Sequence, residues 1–68
     1  MSEKGRFLIY CMEQYKSAKK LTGKQVAELF RKYGVYDYIL SYFEALHTTG
    51  DHYIIKDIDL YIEARKSA

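Results

Sequence analysis

Apolar residues recur along most of this chain at helical spacing, with polar residues filling the positions between them. Between Glu3 and Lys19, Leu8, Cys11, Met12 and Tyr15 follow at steps of three, one and three, which places one apolar stripe on a first helix. Thr22-Gly23-Lys24-Gln25 has the form of a capping box, in which the threonine oxygen accepts the third backbone N–H and the glutamine reaches back to the cap. It opens a second helix carrying Val26, Leu29, Phe30 and Tyr33 at i, i+3, i+4 and i+7, and Gly34 supplies the left-handed residue that ends it. A third helix is predicted from Tyr36 to about Thr48, closed by Gly50. Its polar line is Asp37, Ser41, Glu44 and Thr48, and all else but His47 is apolar or aromatic. Such a helix either lies at the centre of the domain or carries a face that a partner covers.

The stretch from Asp51 to Lys56 contains Tyr53-Ile54-Ile55, a β-favouring run that reads as one strand or as an extended connector. A lone strand makes no sheet, so a connector is expected. Asp57 then caps a last helix with Ile58, Tyr61, Ile62 and Arg65 on one face and early acids complementing its dipole. The predicted architecture is all-α: a small bundle of four short helices with an extended connector before the last, in one domain over residues 1–68. The centres of the stripes predict a core of Leu8, Met12, Val26, Leu29, Phe30, Ile39, Phe43, Leu46, Ile58 and Ile62.

Composition narrows the class more than the function. A chain of 68 residues buries only roughly 60% of its unfolded surface, so modest stability is expected. Cys11 is the only cysteine, which excludes an internal disulfide, suits a reducing cytoplasm and reads as a small apolar core residue. The apolar run Phe7 to Met12 is too short for a signal sequence or a membrane span, so a cytoplasmic location away from membranes is expected.

Charge is divided along the chain within a net total of +2. From Lys16 to Lys32 six basic residues (Lys16, Lys19, Lys20, Lys24, Arg31, Lys32) stand against Glu28 alone. From Tyr33 to Ala64 six acids (Asp37, Glu44, Asp51, Asp57, Asp59, Glu63) stand against Lys56. Opposed patches of this kind speed encounter and fix orientation, either with a charged partner or between copies of the chain.

Chemistry-bearing clusters are sparse. His47 and His52, with Asp51 between them, are five apart, matching no helical ligand pair, so no metal site is expected. No nucleophile has a visible base and no glycine-rich phosphate loop occurs, so neither catalytic residues nor a cofactor are expected. Val26 to Phe43 can be read as a helix-turn-helix presenting Tyr36, Asp37, Tyr38 and Ser41 to bases. Between Tyr33 and Ile55, however, there is no lysine or arginine, which removes the phosphate-neutralising term from that recognition helix. Nucleic-acid binding therefore ranks second, as the alternative to protein binding.

Eight tyrosines are the remaining unusual feature. Tyr15, Tyr33 and Tyr61 fall on core stripes, whereas Tyr10 and Leu60 lie opposite theirs, and Tyr38 and Tyr42 widen the apolar arc of the third helix. Tyrosine is favoured at interfaces for its large area, few rotors and polar tip. The expected partner surface is Tyr10, Tyr38, Tyr42 and Leu60, with the Lys19, Lys20 and Lys24 edge steering an acidic partner.

The segment Leu21-Thr22-Gly23-Lys24 to Gly34-Val35, the run Tyr42-Phe43-Glu44-Ala45-Leu46-His47-Thr48-Thr49-Gly50, the segment Ile58-Asp59-Leu60-Tyr61-Ile62 and the opening Phe7-Leu8-Ile9-Tyr10-Cys11-Met12-Glu13 together resemble a family of short bacterial domains of unknown function. Members of that family are often encoded beside an ADP-ribosyltransferase-like protein and are sometimes labelled toxin–antitoxin components. The resemblance implies a non-enzymatic, protein-binding accessory, antitoxin-like in role, and carries no functional residues with it. A self-associating domain, its basic and acidic halves meeting across a dimer, is the third reading.

Overall fold

Ser2 starts the first helix by accepting the Gly5 N–H at 3.1 Å on its side-chain oxygen, and α1 runs Glu3–Lys19, the bounds that its stripe predicts. The computed structural model describes residues 2–48 and 51–67, with the side chains of Asp51 and His52 outside the description. Lys20 ends α1 in the left-handed conformation at φ 57°, where its N–H and that of Leu21 close onto Ser17 and Lys16 carbonyls. A side chain in that region is strained, and glycine is not. Lys20→Gly is therefore expected to stabilise the fold by about 0.5–1 kcal/mol, read as a higher denaturant midpoint.

The capping box forms as the sequence predicts. Thr22 Oγ1 accepts from Gln25 N–H at 3.1 Å, and Gln25 Oε1 accepts from Thr22 N–H at 2.9 Å. Helix α2 spans Gly23–Lys32, and Gly34, at φ 68°, turns the chain directly into α3, Val35–Ser41.

The predicted third helix is interrupted at Tyr42. The chain continues as α4, Phe43–His47, with Tyr42 at φ −109° and ψ 25°. The hydrogen bonds from Tyr42 N–H to Tyr38 O and from Leu46 N–H to Tyr42 O bridge the break, so the two pieces form one bent rod. No proline or glycine lies there, and the bend comes from packing: Ile39 is buried in the core, whereas Phe43 turns its ring edge-on to Phe7 of α1 at 5.4 Å. Thr48 closes α4 by donating its hydroxyl to Ala45 O at 3.1 Å. Closure at Gly50 falls outside the described residues.

The connector expected over 51–56 is helical instead. Helix α5 spans Asp51–Lys66, so Tyr53-Ile54-Ile55 lie within it and Asp57 is a mid-helix residue rather than its cap. The bundle thus has five helices among the described residues, with no strand. Burial explains the outcome. Ile54, Ile58 and Ile62 form an i, i+4, i+8 line, all essentially inaccessible. Burying one isoleucine contributes about 1.5–3 kcal/mol, whereas the helix propensity deficit of a β-branched residue is at most about 0.7 kcal/mol.

All five helices feed one core: Cys11 and Tyr15 from α1, Val26 and Phe30 from α2, Val35 and Ile39 from α3, Leu46 from α4, and the three isoleucines from α5. Six of the ten residues predicted for the core are fully buried, while Leu8, Met12, Leu29 and Phe43 are half-buried at its margin. Phe30 sits at its centre, edge-on to Tyr15 at 5.4 Å and to Tyr36 at 5.7 Å.

Candidate partner interface

Helices α3 and α5 bring half-buried Tyr38 and Tyr61 together at the edge of the core, and exposed Tyr42 extends them into one chain of rings. Tyr38 and Tyr61 stack with centroids 4.2 Å apart and planes 17° from parallel, and Tyr42 tilts against Tyr38 at 5.2 Å. Tyr38 and Tyr42 are i, i+4, which sets their rings side by side, with Tyr38 against α5. Burial, then the negative charge of Asp57 and the phenols of Tyr42 and Tyr61, push the Tyr38 hydroxyl above its ordinary pKa. Leu60 follows Asp57 by three residues on α5 and stands 59% exposed; Tyr42 is 57% exposed. Three of the four predicted surface residues, Tyr38, Tyr42 and Leu60, are therefore carried by α3, its junction with α4, and α5.

Tyr10 belongs to a second group. It stacks on Phe7 at 6.3 Å, and Phe7 meets Phe43 and His47 edge-on, at 5.4 and 6.0 Å. Tyr53, placed by the sequence in a connector, is instead 66% exposed seven residues before Leu60. That spacing puts the two on one outward line of α5, about 10 Å apart along the axis.

The three predicted steering lysines have different surroundings. Lys19 Nζ lies 2.6 Å from Asp59 Oδ2, whose other oxygen accepts from the Tyr15 hydroxyl at 2.7 Å. Lys20 is the left-handed cap of α1, and Lys24 is exposed in the first turn of α2. The basic and acidic stretches thus meet within a single chain, through a clip that ties the end of α1 to α5.

That clip has a pH signature. Burial raises the Tyr15 pKa most, followed by the hydrogen bond to Asp59 and the charges of Asp59 and Glu63. The folded phenol holds its proton more tightly than the unfolded one, so its contribution is fully present below the unfolded value of about 10. It is lost progressively as pH rises above that value. Tyr15→Phe is expected to melt lower at neutral pH, by about 1–2 kcal/mol for the lost bond to a carboxylate. Its stability should also fall less steeply than wild type on the alkaline side; parallel alkaline losses would contradict the assignment.

His47 packs on Phe43 at 4.9 Å and faces Glu3 at 3.9 Å. Among the described residues no group of three or more His, Cys, Asp or Glu gathers at one point, and the side chains of Asp51 and His52 lie outside them. The base-reading set has a packed role in part: Tyr36 lies against Phe30 and Tyr38 against Tyr61, leaving Asp37 and Ser41 exposed. Among the described residues no helix is long and apolar enough to cross a membrane.

The sequence model of a family described as a protein of unknown function, DUF3791, matches residues 6–65. The chain belongs to that family. For this DUF3791 member no curated protein and no solved structure matches. The matched span takes in the capping box, the Tyr42 break and the Tyr38–Tyr61 stack.

Proposed function

We propose that this DUF3791 chain is a non-enzymatic protein-interaction module of the cytoplasm, an antitoxin-like or accessory partner of an ADP-ribosyltransferase-like toxin enzyme. The observation that carries the interaction reading is the ring ladder Tyr42–Tyr38–Tyr61, together with exposed Leu60 next to Tyr61 on α5. Rings held by stacking before a partner arrives lose little rotamer freedom on binding, and tyrosines placed this way are common hot spots. The two perturbed phenols, Tyr15 and Tyr38, are both pushed away from neutrality. That is opposite to the tuning that general acid–base catalysis requires.

The nucleic-acid alternative is disfavoured by the packed positions of Tyr36 and Tyr38. Self-association through opposed halves is disfavoured because Lys19 and Asp59 already pair within one chain. The toxin-partner assignment rests on the family resemblance alone. Co-expression with an ADP-ribosyltransferase-like protein encoded beside this chain should give one complex that elutes ahead of either component in gel filtration. Separate elution at roughly micromolar concentration, where a complex of ordinary affinity stays associated, would contradict that assignment.

A further inference from the structure

We propose that the cleft between the C-terminal ends of α2 and α5 is the seat of a short acidic peptide segment of the partner, an inference that rests on the interaction-module reading. The cleft measures about 410 Å³ and is lined by Lys32, Tyr33, Tyr61, Ala64 and Arg65. Lys32 and Arg65 are far apart in sequence, and the fold brings them to one opening. The Nζ atoms of Lys32 and Lys66 stand 5.4 and 6.0 Å from the Tyr33 ring centroid, and the Arg65 guanidinium stands 5.4 Å from that of Tyr61. Basic residues in the last turn of a helix complement its dipole, which accounts for their presence at each end. It does not account for the meeting of Lys32 and Arg65, from two helices, in the lining of one cleft, with Lys66 beside its Tyr33 wall. The rings beneath them restrain these side chains, and all three residues are exposed to solvent.

Charge selects an acidic occupant, and the rings select a peptide over a nucleic acid. One face of Tyr61 is covered by Tyr38 at 4.2 Å, and the Arg65 guanidinium also sits over its ring. Tyr33 likewise carries two lysines. A single-stranded nucleic acid gains affinity by stacking bases on open rings and by neutralising a row of phosphates. Here the rings are engaged and the cations are three, with Lys66 also 3.5 Å from Glu63. Carboxylate side chains need only the cation heads, with bidentate geometry available at Arg65. Tyr61 belongs both to this cleft and to the ring ladder, so an acidic segment seated here runs onto the Tyr38–Tyr42 surface. The acidic partner is thus met at Lys32, Arg65 and Lys66 instead of along the Lys19, Lys20 and Lys24 edge.

A fluorescein-labelled hexaglutamate peptide, titrated at low salt by anisotropy and by amide chemical shifts, tests this. The Lys32→Gln/Arg65→Gln pair should weaken binding by about fivefold or more, as two partly exposed charge contacts imply. Shifts should centre on Tyr33, Ala64 and Arg65. The Lys20→Gln/Lys24→Gln pair removes equal charge elsewhere and should change affinity less than about twofold, and circular dichroism checks that both pairs fold. Equal loss in both pairs, no peptide binding, or tighter binding of oligothymidine with the same loss would each overturn the proposal. If the peptide ignores the cleft while Tyr42→Ala and Leu60→Ala still weaken a protein complex, the cleft assignment falls and the module reading stands. If the peptide seats in the cleft and those two variants leave the complex unchanged, the acidic-peptide site stands and the tyrosine surface falls.

Discussion

Phe30→Ala should unfold the protein or bring it to the edge of unfolding. The Phe30 side chain is fully buried, with Tyr15 and Tyr36 edge-on against it, so truncation opens a cavity bordered by α1, α2 and α3. Loss of a buried phenylalanine costs about 3–5 kcal/mol. A domain of this size holds roughly 3–10 kcal/mol in total, at about 0.05–0.15 kcal/mol per residue. Thermal and urea melts followed by circular dichroism measure the loss directly, and a melt matching wild type would contradict the core. Phe43→Ala is the informative contrast. The sequence ranks the two together, but Phe43 is half-buried at the α1–α4 margin, so its truncation should cost less.

Ile54→Ala is expected to have the next largest effect, about 2–5 kcal/mol, because Ile54 is 2% exposed and begins the isoleucine line of α5. Its neighbour Tyr53 points to solvent, so Tyr53→Ala should change stability by no more than about 0.5 kcal/mol. An extended connector would make neither substitution costly. The pair of urea midpoints therefore separates the helix from the connector, and two small, equal changes would contradict the assignment of 51–56 to α5.

The contrast between Phe30 and Ile54 also shows where the fold is legible in the sequence. Helices α1 and α2 are written locally: Thr22 and Gln25 cap each other across three residues, and Gly34 supplies the turn. Nothing as local marks α5. The run Tyr53-Ile54-Ile55 has strand-like propensity, and its helical state follows from burying Ile54 beside Ile58 against elements distant in sequence, which no window of a few residues contains. The bend at Tyr42 has the same origin, since Phe43 is drawn to Phe7 across the domain.

The candidate surface is legible to a similar extent. On the helical wheel Tyr42 and Leu60 fall outward and Tyr38 belongs to an over-wide apolar arc. The wheel places Tyr10 outward as well, and Tyr10 is exposed, with its ring stacked on Phe7 of the same helix. The partners of Tyr38 and of Lys19 come from α5, so the ring ladder and the Asp59 clip appear only once the helices are assembled. The cation group at Lys32, Arg65 and Lys66 is invisible for the same reason. Counted along the chain, Lys32 closes the basic stretch while Arg65 and Lys66 lie beyond the acidic one, and folding brings Lys32 and Arg65 into one cleft with Lys66 over its Tyr33 ring.

Calorimetric titration of the purified partner against wild type and a Tyr42→Ala/Leu60→Ala variant tests the partner surface most directly. Both side chains are more than half exposed, so the variant should keep the wild-type melting profile. Loss of an interface tyrosine and its apolar neighbour should weaken the complex at least about tenfold, equivalent to about 1.4 kcal/mol. Wild-type affinity in a fully folded double variant would place the partner elsewhere and contradict the account.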